Sequence, residues 1–119
     1  MVQETVLVVE DDFIQRRQIV RALLEEGYCT VEASEGLEAI RILFEQRIDL
    51  VLTDIKMPCL DGISLLKYIK IFYSGIPVVI ATAYPQEIQD LRPDALLCKP
   101  FGTDELMTSV RRLIRHSNL

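Results

Sequence analysis

Five residues of this chain have the types that handle phosphate and hard cations, and each closes or follows an apolar run. Glu10 and Asp11 follow Thr5-Val6-Leu7-Val8-Val9, and Asp54 follows Asp49-Leu50-Val51-Leu52-Thr53. Thr82 ends Val78-Val79-Ile80-Ala81, and Lys99 follows Ala95-Leu96-Leu97-Cys98. Clustered carboxylates repel one another, and burying several without compensation is costly. Brought together, Glu10, Asp11 and Asp54 need a cation, and hard oxygen ligands with room left for water suit Mg²⁺. Lys99 supplies a fixed positive charge for a phosphoryl oxygen, Thr82 a hydroxyl for another, and small Ala83 leaves the approach open. Phosphoryl transfer asks mainly for positioning and charge neutralisation, and a carboxylate can itself be the nucleophile. Asp54, central among these groups, is the candidate.

The elements that must position these residues are legible from hydrophobic pattern. Short unbroken apolar runs read as strands buried on both faces, the mark of a parallel sheet. In an open α/β sheet, ligands sit outside the carboxyl ends of the strands. Four such runs therefore deliver the five residues to one sheet edge. Between the runs lie stretches of helical period, which predicts βαβ units. The first helix is expected to start at Asp12, an N-cap with Gln15 in capping-box register. Ile14, Ile19, Leu23 and Leu24 are to face the sheet, and Gly27 ends the helix. A second strand follows over Tyr28 to Ala33. Ser34 is to cap a helix burying Leu37, Ile40, Leu43 and Phe44. The next helix carries Ile63, Leu66, Ile69 and Ile71 or Phe72. The last is to be capped by Thr103 and to bury Leu106, Val110, Leu113 and Ile114. Its first turn holds Asp104 and Glu105 and its end Arg111, Arg112 and Arg115, an order that suits the helix dipole. Between Thr82 and Lys99, Pro85 and Pro93 confine any helix to about Gln86 to Leu91, so a short helix or turn is expected there.

Composition excludes several classes of function. The 119 residues fit one domain with a single sizeable core, half of them apolar and a quarter charged. A net charge of −5 argues against direct nucleic-acid binding, which normally needs a basic patch. No run approaches the ~20 apolar residues of a membrane helix, and no signal-peptide pattern opens the chain. Cys29, Cys59 and Cys98 are odd in number and lack CxxC spacing, so they read as reduced thiols of a cytoplasmic protein. Plain structural duties cover other candidates. Asp12 reads as a cap rather than a ligand, Asp61-Gly62 as a turn, and His116 as a helix-end residue with no catalytic part.

In this order, the motifs resemble those of a response-regulator receiver domain, the phosphoacceptor half of two-component signalling. Val8-Val9-Glu10-Asp11-Asp12 is similar to the acidic first-strand end of that family. Asp54-Ile55-Lys56-Met57-Pro58 with Asp61-Gly62 resembles its phosphoacceptor loop. Pro77 to Ala83 and Lys99-Pro100-Phe101 resemble its switch-threonine and lysine motifs. The likeness spans essentially the whole chain. It implies a flavodoxin-like, doubly wound, five-stranded parallel sheet in order 2-1-3-4-5, with a short or irregular fourth helix, and one receiver domain over residues 1–119 without an effector domain. It further implies that Asp54 takes a phosphoryl group from a histidine kinase or phosphotransfer protein and signals to a downstream protein or fused effector. Asp11, Asp54 and the Lys56 backbone carbonyl would hold Mg²⁺, with Glu10 acting through water, and Thr82 and Lys99 would grip the phosphoryl oxygens. The family's cis-proline maps to Lys99-Pro100.

Two departures stand out. Leu96 occupies the place of a usual aromatic three residues before the lysine, and the stretch after Thr82 is several residues short. Both lie on the face that commonly transmits the signal. Three rivals fit less well. A flavodoxin-type binder needs a Ser/Thr/Gly-rich loop after the first strand, where Glu10-Asp11-Asp12 would repel a phosphate. An aspartate-nucleophile phosphatase needs an acid–base carboxylate two residues after the nucleophile, where Lys56 stands. A receiver that has lost phosphorylation would not retain every one of these residues.

Overall fold

The computed structural model describes residues 3–88 and 91–117, without the side chains of 116 and 117. Five strands, β1 (Thr5–Val9), β2 (Cys29–Ala33), β3 (Leu50–Thr53), β4 (Val78–Thr82) and β5 (Ala95–Cys98), form one parallel sheet in the order β2-β1-β3-β4-β5. The helices are α1 (Phe13–Glu25), α2 (Gly36–Glu45), α3 (Gly62–Phe72) and α4 (Thr103–Ser117). The expected fold is the observed one. Among the described residues between Thr82 and Lys99, a 3₁₀ turn, Pro85–Ile88, is the helical element, and residues 89 and 90 of the span expected over Gln86 to Leu91 lie outside the described residues.

The strands have apolar residues on both faces because both faces are covered. Val6, Val8, Leu52 and Val79 pack with Ile19 and Leu23 of α1 and Leu106 and Val110 of α4. Leu7, Val9, Val51 and Ile80 pack on the other face with Ala39 and Leu43 of α2 and Leu65 and Ile69 of α3. A buried leucine or valine contributes on the order of 1.5–3 kcal/mol, so these central strands hold the sheet edge firmly.

Helix ends follow local chemistry. Asp12 caps α1, its side chain accepting from the Gln15 N–H at 2.9 Å. Gly27, with φ +93°, closes it. The Gly27 N–H donates to the Leu24 carbonyl at 3.0 Å and the Tyr28 N–H to that of Leu23 at 3.1 Å, the paired bonds of a Schellman turn.

Several expectations about helices are corrected. The capping box is only half built, for the Asp12 N–H donates to Glu10 Oε2 at 3.3 Å and the Gln15 side chain turns elsewhere. Glu35, not Ser34, caps α2, its carboxylate accepting from the Leu37 and Glu38 N–H groups. Helix α4 begins at Thr103 itself, so this residue lies inside the helix and the cap precedes it. The buried stripes agree with those expected at Ile19, Leu23, Leu43, Leu66 and Ile69 and at Leu106, Val110, Leu113 and Ile114 of α4, and differ at their margins. Val20 is buried in α1 while Ile14 and Leu24 are exposed, and Gly36, Ala39 and Ile42 are buried in α2 while Leu37 and Phe44 are exposed. In α3, Gly62 and Leu65 are buried and Ile71 and Phe72 exposed. In α2 and α3 the small residues Gly36, Ala39 and Gly62 take buried positions that a stripe chosen by large apolar side chains misses. The side chain of His116 lies outside the described residues.

Candidate functional site

Strand register places the site. Val9 is paired with Thr53, and Thr82 with Cys98, so Glu10 and Asp54 leave neighbouring strands side by side and Lys99 emerges beside Thr82. Backbone bonds continue these pairings past the strand ends. The Asp54 N–H donates to the Val9 carbonyl at 3.1 Å, that of Glu10 to Ala33 at 3.0 Å, and that of Lys99 to Thr82 at 2.9 Å.

Glu10, Asp11 and Asp54 each present an oxygen within 4.8 Å of the others. Among the described residues this is a cluster with the donor chemistry of a hard divalent cation, all carboxylate oxygen, with Asp11 open to solvent. The set fits Mg²⁺. Lys99 supplies the neutralising charge. Its Nζ lies 2.6 Å from Glu10 Oε1, 2.9 Å from Asp54 Oδ2 and 2.6 Å from Gln15 Oε1, so all three ammonium protons have acceptors.

Burial, reinforced by the Asp54 charge, raises the Glu10 pKa to about 7 against the pull of Lys99. For Lys99, burial works against the ammonium, but the hydrogen bonds and charges of Glu10 and Asp54 outweigh it and the pKa rises. The lysine is thus firmly cationic, and it is the counter-ion of a crowded acidic pair.

Asp54 is held from a second side. Its Oδ1 accepts from the Ile55 N–H at 2.6 Å, which leaves Oδ2 facing the lysine. Arg16 steadies the acidic loop. It donates to the Glu10 carbonyl at 2.8 Å and to Glu32 at 2.9 Å. Thr82 is fully buried, and its hydroxyl accepts from the Tyr84 N–H at 2.9 Å. The side chain of Lys56 points along the surface, 3.4 Å from Glu87 and 4.2 Å from the centre of the Tyr84 ring. Leu96 is exposed, and the Lys99-Pro100 bond is cis.

The structure thus joins Glu10, Asp11, Asp54 and Lys99 directly, with Thr82 on the adjoining strand. Gln15 is a contributor that the sequence marks only as part of a cap. Asp61-Gly62, part of the phosphoacceptor-loop motif and expected as a turn, has a more definite role: Asp61 caps α3 by accepting from the Ser64 N–H at 2.8 Å, and Gly62 lies against the backbone of Asp54. A glycine immediately after a helix cap, eight residues past the candidate nucleophile, was the available signal.

Comparison with known proteins gives a consistent result. Residues 6–111 match the family model described as "Response regulator receiver domain". The chain is 37% identical to sporulation initiation phosphotransferase F of Bacillus subtilis (strain 168) over 119 residues, 96% of each chain. It is 39% identical to the transcriptional regulatory protein ZraR of Escherichia coli (strain K12), matching 95% of this chain but only 27% of that protein. It likewise spans about half the length of the MprA response regulators it matches. Among solved structures, the response regulator TrrA of Thermotoga maritima, in complex with Mg(2+)-BeF, superposes with a TM-score of 0.88 at 32% identity, covering 93% of this chain and 99% of that one.

Proposed function

Since the chain belongs to the response regulator receiver domain family, we propose that it acts as one phosphoacceptor unit that takes a phosphoryl group onto Asp54 and changes shape to signal. The carrying observation is Lys99, whose ammonium bridges Asp54 Oδ2 and Glu10 Oε1 within the triad of carboxylates. The donor is a histidine kinase or a phosphotransfer protein. The reader of the signal is a downstream protein or a fused effector domain. No described helix is long and apolar enough to cross a membrane, and the net charge of −5 favours neither membrane surfaces nor nucleic acid. The setting that accords with this is cytoplasmic.

In the reaction, one O–P bond forms at Asp54 as the P–N bond of a phosphohistidine breaks and its electron pair returns to the imidazole. The Ile55 N–H fixes Oδ1, so Oδ2 is the attacking oxygen once Lys99 shifts from it to the incoming phosphoryl group. Thr82 then exchanges its bond from Tyr84 for one donated to a phosphoryl oxygen, which couples the stretch from Ala83 onward to the chemistry. Asp11, Asp54 and the Lys56 carbonyl would hold Mg²⁺, with Glu10 acting through water, and the bound ion supplies charge that neutralises carboxylates and phosphoryl oxygens together. The chain is a signalling phosphoacceptor rather than a turnover enzyme, although the same groups assist both gain and loss of its phosphoryl group.

Acetyl phosphate with Mg²⁺ should add one phosphoryl mass to the intact protein. Absence of the adduct with both acetyl phosphate and phosphoramidate would overturn the reading. The ion alone should also stabilise the fold, by roughly 1.4 kcal/mol at tenfold over its Kd, seen as a raised Tm. Asp11→Ala should lose most of that rise, and an equal shift in the variant would remove Asp11 from the ligand set.

Lys99 and a divalent cation compete for the same carboxylates. Lys99→Met should therefore bind Mg²⁺ roughly tenfold more tightly while accepting phosphate slowly. Calorimetric titration of both proteins decides this, and a Kd equal to that of the wild type would show that the ammonium does not compete.

A further inference from the structure

We infer that Gln15 is a positioning residue for Lys99, a neutral tether that keeps the ammonium beside Asp54 when the carboxylates are engaged by a cation. This rests on the phosphoacceptor reading above. An ammonium only donates, so the contact at 2.6 Å fixes the Gln15 amide with its oxygen toward Lys99. Of the three acceptors around Nζ, Glu10 and Asp54 belong to the cation-binding triad, and Gln15 does not. Cation binding weakens the first two bonds and leaves the third. The Asp12 cap on the Gln15 N–H, at 2.9 Å, sets where the side chain starts, so the tether is built into the first turn of α1.

The surroundings say what happens without it. Gln15 and Lys99 line an open groove of about 650 Å³, together with Ile19, Ala22, Phe101 and Leu106. With no amide oxygen there, the third ammonium proton turns to water in the groove, and a cation on the carboxylates then drives the lysine outward. Gln15 is exposed and its own backbone bond is made by the cap, so replacing the side chain leaves folding intact.

The test has two readouts. In ¹⁵N-labelled protein with saturating Mg²⁺, the Lys99 ammonium signal, assigned by its loss in Lys99→Met, should exchange with solvent roughly fivefold faster in Gln15→Met. That is the scale of one part-exposed hydrogen bond to a charged group. Gln15→Glu, which keeps an acceptor oxygen, should restore slow exchange. Labelling by acetyl phosphate, a donor too small to need docking on α1, should slow by a similar factor in Gln15→Met and recover in Gln15→Glu. In the Lys99→Met background the Gln15→Met change should have no further effect. Unchanged ammonium exchange, or equal slowing with and without Lys99, would overturn the tether. A wild-type protein that takes no phosphoryl group would sink the functional reading instead, and ammonium exchange would still decide the role of Gln15.

Discussion

Asp54→Asn should accept no phosphoryl group from acetyl phosphate at a rate within roughly 10³-fold of the wild type. The substitution is nearly isosteric. The amide oxygen can still accept from the Ile55 N–H, which holds Oδ1 at 2.6 Å, so the side chain keeps its place while the carboxylate proposed as nucleophile is lost. Folding should survive. Removing one charge from the triad relieves repulsion with Glu10 and Asp11, and the lysine, 18% exposed, keeps Glu10 and Gln15 as acceptors. Stability should stay within about 1 kcal/mol of the wild type, as expected when opposing charge effects largely cancel at a part-exposed site. Intact-mass spectra over a time course, with urea unfolding of the same samples, separate the two effects. Labelling of the asparagine variant at full yield would place the phosphoryl group on another residue.

Which parts of this site could be read before the structure depends on the range of the interaction that sets them. Burial of a central parallel strand imposes one continuous apolar run, so Leu50 to Thr53 announced itself and its end at Asp54 followed. Parallel register then put Glu10 beside Asp54, because Val9 pairs with Thr53. Helix faces were less legible. In α2 the buried positions include Gly36 and Ala39 while Leu37 and Phe44 face outward, and packing against Leu60 rather than hydropathy selects the glycine. Capping failed in an informative way. Ser34 is the better cap by type, yet the longer Glu35 side chain reaches the Leu37 N–H, and the Ser34 N–H instead donates to Glu38 at 2.7 Å. Gln15 shows the limit most clearly. Its spacing from Asp12 specifies a capping box, but an ammonium 84 residues away in sequence competes for the same amide oxygen and wins. A hydrogen bond to a charged donor is roughly twice as strong as one between neutral groups, and no local pattern contains that donor.

Gly62→Ala should be the most damaging single-methyl change near the site. A Cβ at Gly62 would overlap the carbonyl oxygen of Asp54 and crowd its carbonyl carbon at 2.8 Å and the Ile55 Cα at 2.9 Å. Every one of these atoms is backbone, so no side chain can rotate away. The same turn is closed by the Gly62 N–H donating to the Ile55 carbonyl at 2.7 Å, and Asp61 caps α3 immediately before it. The loop must therefore open or Asp54 must move, and either one disturbs the Ile55 bond that orients Oδ1. Overpacking of this kind costs typically 1–3 kcal/mol and more where the clash is with rigid groups, so a loss of about 3 kcal/mol is expected in urea unfolding. Gly75→Ala is the control, since a Cβ there meets nothing within 4 Å, and it should change stability by less than about 0.5 kcal/mol. The fraction of Gly62→Ala that remains folded should also label slowly, because displacement of Asp54 by even an ångström misaligns its oxygen with the lysine. Should Gly62→Ala match Gly75→Ala in both stability and labelling, the loop would be shown to yield freely, and the close approach of Gly62 would have no part in fixing Asp54, the proposed phosphoacceptor.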